Sequence, residues 1–136
     1  MPMTIEAAIA MLACARIGAI HSVVFGGFAA KELANRIDDC NPKLLVVSSC
    51  GIEPGKHIFY VPIVEEAMKF CTKIKGTIPC LLHQRLELDG KLCESKIPDN
   101  YHDFDQMMSE EKEVAECVPL KSTHPLYILY TSGTTG

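Results

Sequence analysis

Residues 126–136 read Leu-Tyr-Ile-Leu-Tyr-Thr-Ser-Gly-Thr-Thr-Gly, an apolar run that leads directly into glycines and hydroxyl side chains. The apolar run, residues 126–130, predicts a strand. Glycines in the loop that follows can adopt positive φ angles, so that backbone N–H groups point inward. Inward N–H groups and hydroxyl donors together form a concave site that suits phosphate. The stretch therefore predicts a strand that presents a phosphate-binding loop, and the loop residues are Thr131, Ser132, Gly133, Thr134, Thr135 and Gly136.

The residues alone exclude one phosphate-binding motif for this loop and leave one alternative open. The Walker loop requires Gly-Lys-Ser/Thr at the start of a helix, and residues 131–136 contain no lysine. A run of Ser, Thr and Gly is also typical of a flexible linker.

The rest of the chain alternates between predicted helices and predicted strands. Apolar residues at helical spacing predict helices at 3–17, 29–39, 62–76 and 103–113. Apolar runs predict further strands at 21–25, 44–47 and 77–83, with a turn at 48–55. Pro79 inside the third of these strands predicts an edge position or a bulge. The alternation predicts an α/β fold, in which a mostly parallel sheet is flanked by helices.

Three loops follow predicted strands, at residues 26–28, 49–56 and 131–136. Parallel sheets bind ligands in the loops at the carboxyl ends of their strands. We therefore expect binding residues in these three loops.

The first predicted helix is apolar on almost every face, and Glu6 and Arg16 are its only charged residues. A helix of this kind needs cover on both sides. We expect the chain to be a piece of a longer protein in which this helix is buried.

Composition argues against several classes of partner. The 136-residue chain is 48% hydrophobic and carries a formal net charge of −4, which predicts a globular domain without the basic surface that nucleic acid requires. No apolar run reaches the ~18 residues that a membrane span needs. The seven cysteines include no Cys-x-x-Cys pair and the five histidines show no ligand spacing. We therefore expect neither disulfides nor a metal site, and an intracellular location.

Three stretches resemble one known family. The sequence Tyr-Thr-Ser-Gly-Thr-Thr-Gly at 130–136 resembles the phosphate loop of the AMP-forming acyl-CoA synthetases, which belong to the adenylate-forming superfamily. Residues 1–28, with His-Ser-Val-Val-Phe-Gly-Gly-Phe at 21–28, resemble the acetyl-CoA synthetase branch. Residues 51–67 resemble a vertebrate mitochondrial short-chain subgroup that favours propionate. The resemblance covers nearly the whole chain and implies that residues 1–136 are part of the large N-terminal domain of such an enzyme.

The resemblance implies a ligase that works in two steps. A short-chain carboxylate, acetate or propionate, reacts with ATP to give an acyl-adenylate and pyrophosphate, and the CoA thiol then attacks the adenylate. Residues 131–136 would hold the β- and γ-phosphates. ATP, CoA and Mg²⁺ are the cofactors that the resemblance implies for the whole enzyme, and the mitochondrial matrix is the implied location, with the cytoplasm as the alternative.

The family places its adenylate-binding motifs, acyl pocket, magnesium-binding acid and C-terminal lid further along the chain than residue 136. We therefore expect no catalytic residue and no metal site within these 136 residues. We also expect the isolated chain to be inactive.

The resemblance assigns CoA contacts to the other two loops. Gly26 and Gly27 match residues that lie close to the pantetheine, where glycine lets the backbone approach a ligand closely. The segment that matches a contact with the CoA nucleotide consists of Glu53, Pro54, Gly55 and Lys56. Bacterial relatives carry arginines at the first and last of these positions. A lysine can meet a phosphate as a point charge, but a glutamate cannot.

Purely structural interpretations of these residues stay open. From the residues alone, 26–27 is equally a strand-to-helix turn and 53–56 an exposed Pro-Gly turn. The whole chain could also be a non-catalytic nucleotide- or phosphate-binding α/β module, or a truncated product that only interacts with other proteins.

Overall fold

The computed structural model describes residues 1–74, 77–85, 87–88 and 91–131. Its helices are α1 (Ile5–Ile17), α2 (Ala30–Cys40), α3 (Tyr60–Phe70) and α4 (Phe104–Glu110). Its strands are β1 (Leu45–Ser48), β2 (Cys50–Glu53), β3 (Lys56–Phe59), β4 (Cys80–His83), β5 (Glu87–Leu88), β6 (Lys91–Leu92) and β7 (Tyr101–Asp103).

A parallel sheet in the order β1-β4-β7 confirms the predicted α/β fold. Leu45 pairs with Cys80, and Cys80 pairs in turn with Tyr101. The edge position predicted from Pro79 is wrong, because β4 is the central strand of this sheet. Pro79 lies one residue before β4, so its missing N–H removes no hydrogen bond from the sheet. The carbonyl of Pro79 accepts a hydrogen bond from Leu45 N at 3.0 Å.

The predicted turn at 48–55 is wrong for most of its length. Strands β2 and β3 form an antiparallel hairpin there, with Glu53 opposite Lys56. The turn is confined to Pro54 and Gly55, and Gly55 has a φ of +80°. A second hairpin, β5-β6, lies within the polar stretch that follows β4.

The core lies between the parallel sheet and the two helices α2 and α3. Apolar side chains of β1, β4, β7 and α3 form its larger cluster: Val47, Val61, Val64, Cys80, Leu82 and Tyr101. The two helices meet through Ala30, Ala34 and Ala67. These small side chains let the two helices pack closely against each other.

Helix ends follow the local chemistry closely. Gly18, with a φ of +75°, ends α1, and Asn41, with a φ of +46°, ends α2. Helix α3 begins two residues before Pro62 and ends at Phe70; the predicted terminator, Gly76, lies outside the described residues. Helix α4 is shorter than predicted, and Asp103 caps it by accepting a hydrogen bond from Gln106 N at 2.8 Å.

The apolar side chains of α4 are only partly buried. Phe104 is buried, but Met107 and Met108 are exposed.

The two predicted strands at 21–25 and 126–130 are wrong as strands. They meet in a single parallel bridge between His21 and Tyr127, in which Ile128 N donates to the carbonyl of His21 at 2.9 Å. Helix α1, which precedes them, contains no buried residue. The cover expected for α1 in a longer protein stays a prediction. Within the part of the chain that the structure describes, no helix is long and apolar enough to cross a bilayer.

Candidate functional site

Two of the three predicted ligand loops converge on the side chain of Tyr60, the first residue of α3. The Tyr60 phenol fills the space that a Cβ would need at both Gly26 and Gly51, and its Cζ lies 2.7 Å from each of these ideal Cβ positions. Any larger residue at Gly26 or Gly51 would overlap the phenol hydroxyl. Glycine at these two positions is therefore required by Tyr60 itself, and the role of Gly26 in binding CoA stays a prediction.

Gly27 brings the first loop to the hairpin. A Cβ at Gly27 would lie 3.1 Å from Glu53 Oε1 and 2.5 Å from Cε1 of Phe25. Gly27 is exposed, whereas Gly26 is partly buried under the phenol. The structure thus brings Gly26, Gly27 and Glu53 together, as a site shared by two separate segments requires.

An ion pair spans the hairpin turn. Lys56 Nζ lies 3.3 Å from Glu53 Oε2, and the two side chains are 66% and 36% exposed. Exposed pairs of this kind are weak, in the range of about 0–1 kcal/mol, so a phosphate could compete for the lysine. Pro54 and Gly55 are exposed at the tip of the hairpin, which matches the interpretation of 53–56 as an exposed Pro-Gly turn.

Buried hydroxyl groups at the end of β1 hold this arrangement in place. Ser49 accepts a hydrogen bond from Tyr60 N through its carbonyl, at 3.0 Å, and one from Arg85 N through its Oγ, at 2.9 Å. Arg85 Nη1 also donates to the carbonyl of Cys50 at 3.2 Å. Buried Ser49 therefore ties the start of α3 to Arg85, the second residue after β4, and Arg85 in turn binds the first residue of β2.

The titratable groups beneath the site stay neutral. Burial raises the pKa of Tyr60, and the nearby Cys50 and Glu53 raise it further, while Arg85 opposes them. Burial and a hydrogen bond with the Cys93 thiol raise the pKa of Cys50 to about 12. At neutral pH the Tyr60 phenol is a hydrogen-bond donor, and Cys50 is a protonated thiol rather than a nucleophile.

Sequence reasoning missed a second group of titratable residues at the carboxyl end of β4. His83 lies 3.6 Å from Glu6 and 3.5 Å from Asp105, and its ring packs edge-on against Phe104 with centroids 5.8 Å apart. His83, Glu6 and Asp105 come from distant segments, so spacing along the chain carries no signal for this group. Among the described residues, no group of three or more His, Cys, Asp or Glu side chains is arranged to hold a metal ion.

Most of the predicted phosphate loop lies outside the described residues: Ser132, Gly133, Thr134, Thr135 and Gly136. Thr131 is described and exposed, and the residue before it is anchored on α2. Tyr130 Oη donates to Asp39 Oδ2 at 2.5 Å and lies 3.2 Å from Cys40 Sγ. Burial and these two partners raise the pKa of Tyr130, so the phenol remains a donor. The start of the predicted loop is therefore held against the C-terminal end of α2.

Comparison with known proteins identifies relatives over the full chain. A family model described as AMP-binding enzyme matches residues 1–136. The chain is 51% identical over all 136 residues to acyl-CoA synthetase short-chain family member 3, mitochondrial, of Bos taurus. It is 42% identical over 140 aligned positions to acetyl-coenzyme A synthetase of Xanthomonas oryzae. The chain spans 19% and 20% of the length of these two relatives.

A solved structure shares the fold. The chain is similar to acetoacetyl-CoA synthetase from Streptomyces lividans, with a TM-score of 0.75 and 25% sequence identity. The match covers 98% of this chain and 19% of that one. The architecture described above is therefore found within a much larger synthetase.

Proposed function

We propose that this chain, which belongs to the AMP-binding enzyme family, is a segment of a short-chain acyl-CoA ligase and forms part of its large N-terminal domain. The ligase joins a carboxylate, acetate or propionate, to CoA. The carboxylate attacks the α-phosphorus of ATP, which forms an acyl-adenylate and releases pyrophosphate. The CoA thiol then loses its proton and attacks the acyl carbon, which forms the thioester and releases AMP.

The observation that carries this proposal is the convergence of the loops at 26–28 and 49–56 around Tyr60, which meets Gly26 and Gly51. The glycine loop and the hairpin reach each other through Gly27 and Glu53. Both loops are assigned to CoA, a long ligand with a pantetheine arm and a nucleotide part, so a single CoA site needs loops from separate segments beside one another. The relatives named as acyl-CoA and acetyl-coenzyme A synthetases support CoA as the second substrate.

For CoA, Lys56 and the backbone of Gly27 are the groups that fit best. Lys56 is largely exposed and has only a weak ion pair with Glu53, so it can meet a phosphate of the nucleotide part. Gly27 leaves its backbone open to the pantetheine. Glu53 opposes an anion, and we assign it, with Pro54 and Gly55, to shaping the hairpin tip.

For ATP, we assign residues 131–136 to the β- and γ-phosphates. Backbone N–H and hydroxyl groups would bind the phosphate oxygens by charge-assisted hydrogen bonds, which are stronger than neutral ones. Holding the phosphates in this way leaves the α-phosphorus open to attack, so the loop acts by positioning and electrostatics. Mg²⁺ neutralises phosphate charge when bound, and its protein ligand is expected in the remainder of the ligase.

The same remainder is expected to supply the catalytic residues and the acyl pocket, so the isolated 136 residues should be inactive. The relative named as mitochondrial supports the mitochondrial matrix as the location, with the cytoplasm as the alternative. The choice between acetate and propionate depends on the acyl pocket.

Carboxylate-dependent exchange of labelled pyrophosphate into ATP tests the proposal directly. The full-length protein is assayed with acetate, propionate and butyrate, and acyl-CoA formation is measured separately after CoA is added. We expect exchange and thioester formation with a short-chain acid, and neither from the 136-residue chain. Nucleotide binding by the full-length protein without exchange on any acid would instead favour a non-catalytic binding module.

A further inference from the structure

Arg36 of α2 lies between two aromatic side chains that flank separate predicted ligand loops. Its guanidinium carbon is 4.2 Å from the ring centroid of Phe28 and 5.1 Å from that of Tyr130. Both distances are within the range of about 6 Å over which a cation is attracted to an aromatic face. Phe28 directly follows Gly26-Gly27, and Tyr130 directly precedes the 131–136 loop.

The Arg36 side chain is held in this position from its own helix. Its Nη1 donates to the carbonyl of Glu32 at 2.9 Å and lies 3.2 Å from Glu32 Oε2. The Arg36 side chain is only 17% exposed, although it carries a charge. A planar guanidinium can stack on two rings while its edge donates to Glu32, which a lysine ammonium cannot do.

Tyr130 is fixed from a second direction by the end of the same helix. The Tyr130 hydroxyl donates to Asp39 Oδ2 at 2.5 Å, and Cys40 Sγ lies 3.2 Å from the Tyr130 hydroxyl oxygen. Because α2 is packed on α3 through alanines, these anchors belong to a rigid part of the molecule. The described contacts of Tyr130 thus lead to α2 and, through Arg36, to Phe28.

We propose that Arg36 and Asp39 are positioning residues: they hold Tyr130 and Phe28 so that the loop for the ATP phosphates and the glycine loop for CoA keep a fixed relation. This inference rests on the proposed function and goes beyond it, since neither residue lies in a predicted ligand loop. Asp39 acts on the ATP loop alone, through Tyr130. Arg36 contacts the flanks of both loops, so it affects the sites of both substrates.

Substitutions in the full-length ligase separate these two roles. Tyr130→Phe removes only the hydroxyl that Asp39 accepts from, and it should raise the KM for ATP in pyrophosphate exchange about tenfold, the effect of losing one hydrogen bond to a charged group. The KM for CoA should stay within about twofold of wild type. Arg36→Gln removes the cation and should raise both KM values several-fold, with kcat changed less than either. Arg36→Lys keeps the charge but not the stacked plane, and it should restore only part of each KM.

Tyr127→Phe is the matched control, because Tyr127 lies in the same segment and its ring packs 5.9 Å from His21 instead. It should leave both KM values unchanged. If Tyr130→Phe and Arg36→Gln lower the melting temperature but leave both KM values at wild type, the two residues are merely structural and the inference is overturned. Failure of the wild-type ligase to catalyse any exchange would overturn the proposed function, and this inference with it, so the two failures are distinguishable.

Discussion

Two regions of the molecule differ in how far their apolar side chains are exposed to solvent. The sheet layer consists of α2, α3, β1, β4 and β7, and the outer segments are residues 1–25 and 114–131. Leu82 in the sheet layer is 0% exposed, whereas Ile5 and Leu12 of α1 are 75% and 71% exposed. Contiguous exposed apolar surface is typical of a face that another element covers. The difference teaches that the sheet layer holds its own core, whereas we expect the outer segments to be covered by the remainder of the proposed ligase.

The outer segments are held chiefly to one another. Arg16 Nε donates to the carbonyl of Ala115 at 2.7 Å, and Val118 N donates to the carbonyl of Arg16 at 3.0 Å. Their described link to the sheet layer includes the hydrogen bond from Tyr130 to Asp39. Tyr130, the residue before the predicted phosphate loop, thus belongs to the weakly packed region but is anchored on the well-packed one.

The largest expected effect is the contrast between a buried leucine of the sheet layer and an exposed leucine of α1. Leu82→Ala removes a fully buried side chain from β4 and should lower the free energy of unfolding by about 2–5 kcal/mol. Leu12→Ala is the matched substitution in α1, and it should cost less than about 0.5 kcal/mol in the isolated chain because Leu12 is exposed. Urea denaturation of both variants measures the difference, and equal losses would break the comparison.

A smaller loss is expected from Gly51→Ala, which tests the packing around Tyr60. The new Cβ overlaps the phenol, and relieving that overlap should cost about 1–3 kcal/mol of unfolding free energy. In a double-mutant cycle, Tyr60→Ala should remove most of this cost, because no phenol is then left to meet the methyl group. Additive losses in the cycle would show that Gly51 is needed for another reason.

Substitutions in the predicted phosphate loop should change the rate of catalysis rather than the stability of the fold. Thr131→Ala and Thr134→Ala in the full-length ligase should each slow adenylate formation about tenfold, since each loses one hydroxyl donor to a charged oxygen. Thioester formation from preformed acyl-adenylate should keep its wild-type rate. Pyrophosphate exchange at the wild-type rate in both variants would remove the loop from the mechanism.

The smallest effect concerns the link between α2 and the turn after α3. Asp38 accepts hydrogen bonds from Thr72 N at 2.7 Å, Thr72 Oγ1 at 2.8 Å and Lys73 N at 3.0 Å. The backbone N–H of Thr72 above all lowers the pKa of Asp38 below its ordinary value of 3.8. A lowered folded-state pKa means that the stabilisation is complete above 3.8 and is lost as the pH falls through the lowered value.

The stability difference between wild type and Asp38→Asn should therefore be largest at neutral pH and shrink in acid. Thermal melting from pH 7 to pH 2 measures it. A difference that stays constant, or that grows as the pH falls, would contradict this account of Asp38.

Much of the fold could be predicted from local chemistry. Gly18 and Asn41 mark helix ends because they adopt the left-handed conformation readily, and the alternation of helices and strands predicts the parallel sheet. The family resemblance of residues 130–136 and 21–28 is confirmed by the match over the whole chain.

The rest depends on partners that are distant along the chain. An apolar run such as 21–25 or 126–130 can form a strand, but a strand exists only where a neighbour pairs with it, and here a single bridge forms. The β2-β3 hairpin could not be predicted from the sequence, because Gly51 of β2 is a poor strand former. Position 51 is a glycine because the Tyr60 phenol occupies the space that a Cβ would need. The roles inferred for Tyr60 and Arg36 could not be predicted from the sequence, because each depends on contacts among three segments.

The most direct test of the central claim is a crystal structure of the full-length protein with a non-hydrolysable ATP analogue. We expect the β- and γ-phosphates to lie within hydrogen-bonding distance, about 2.7–3.2 Å, of N–H and hydroxyl groups of residues 131–136. A nucleotide bound elsewhere, with this loop directed into solvent, would contradict the account.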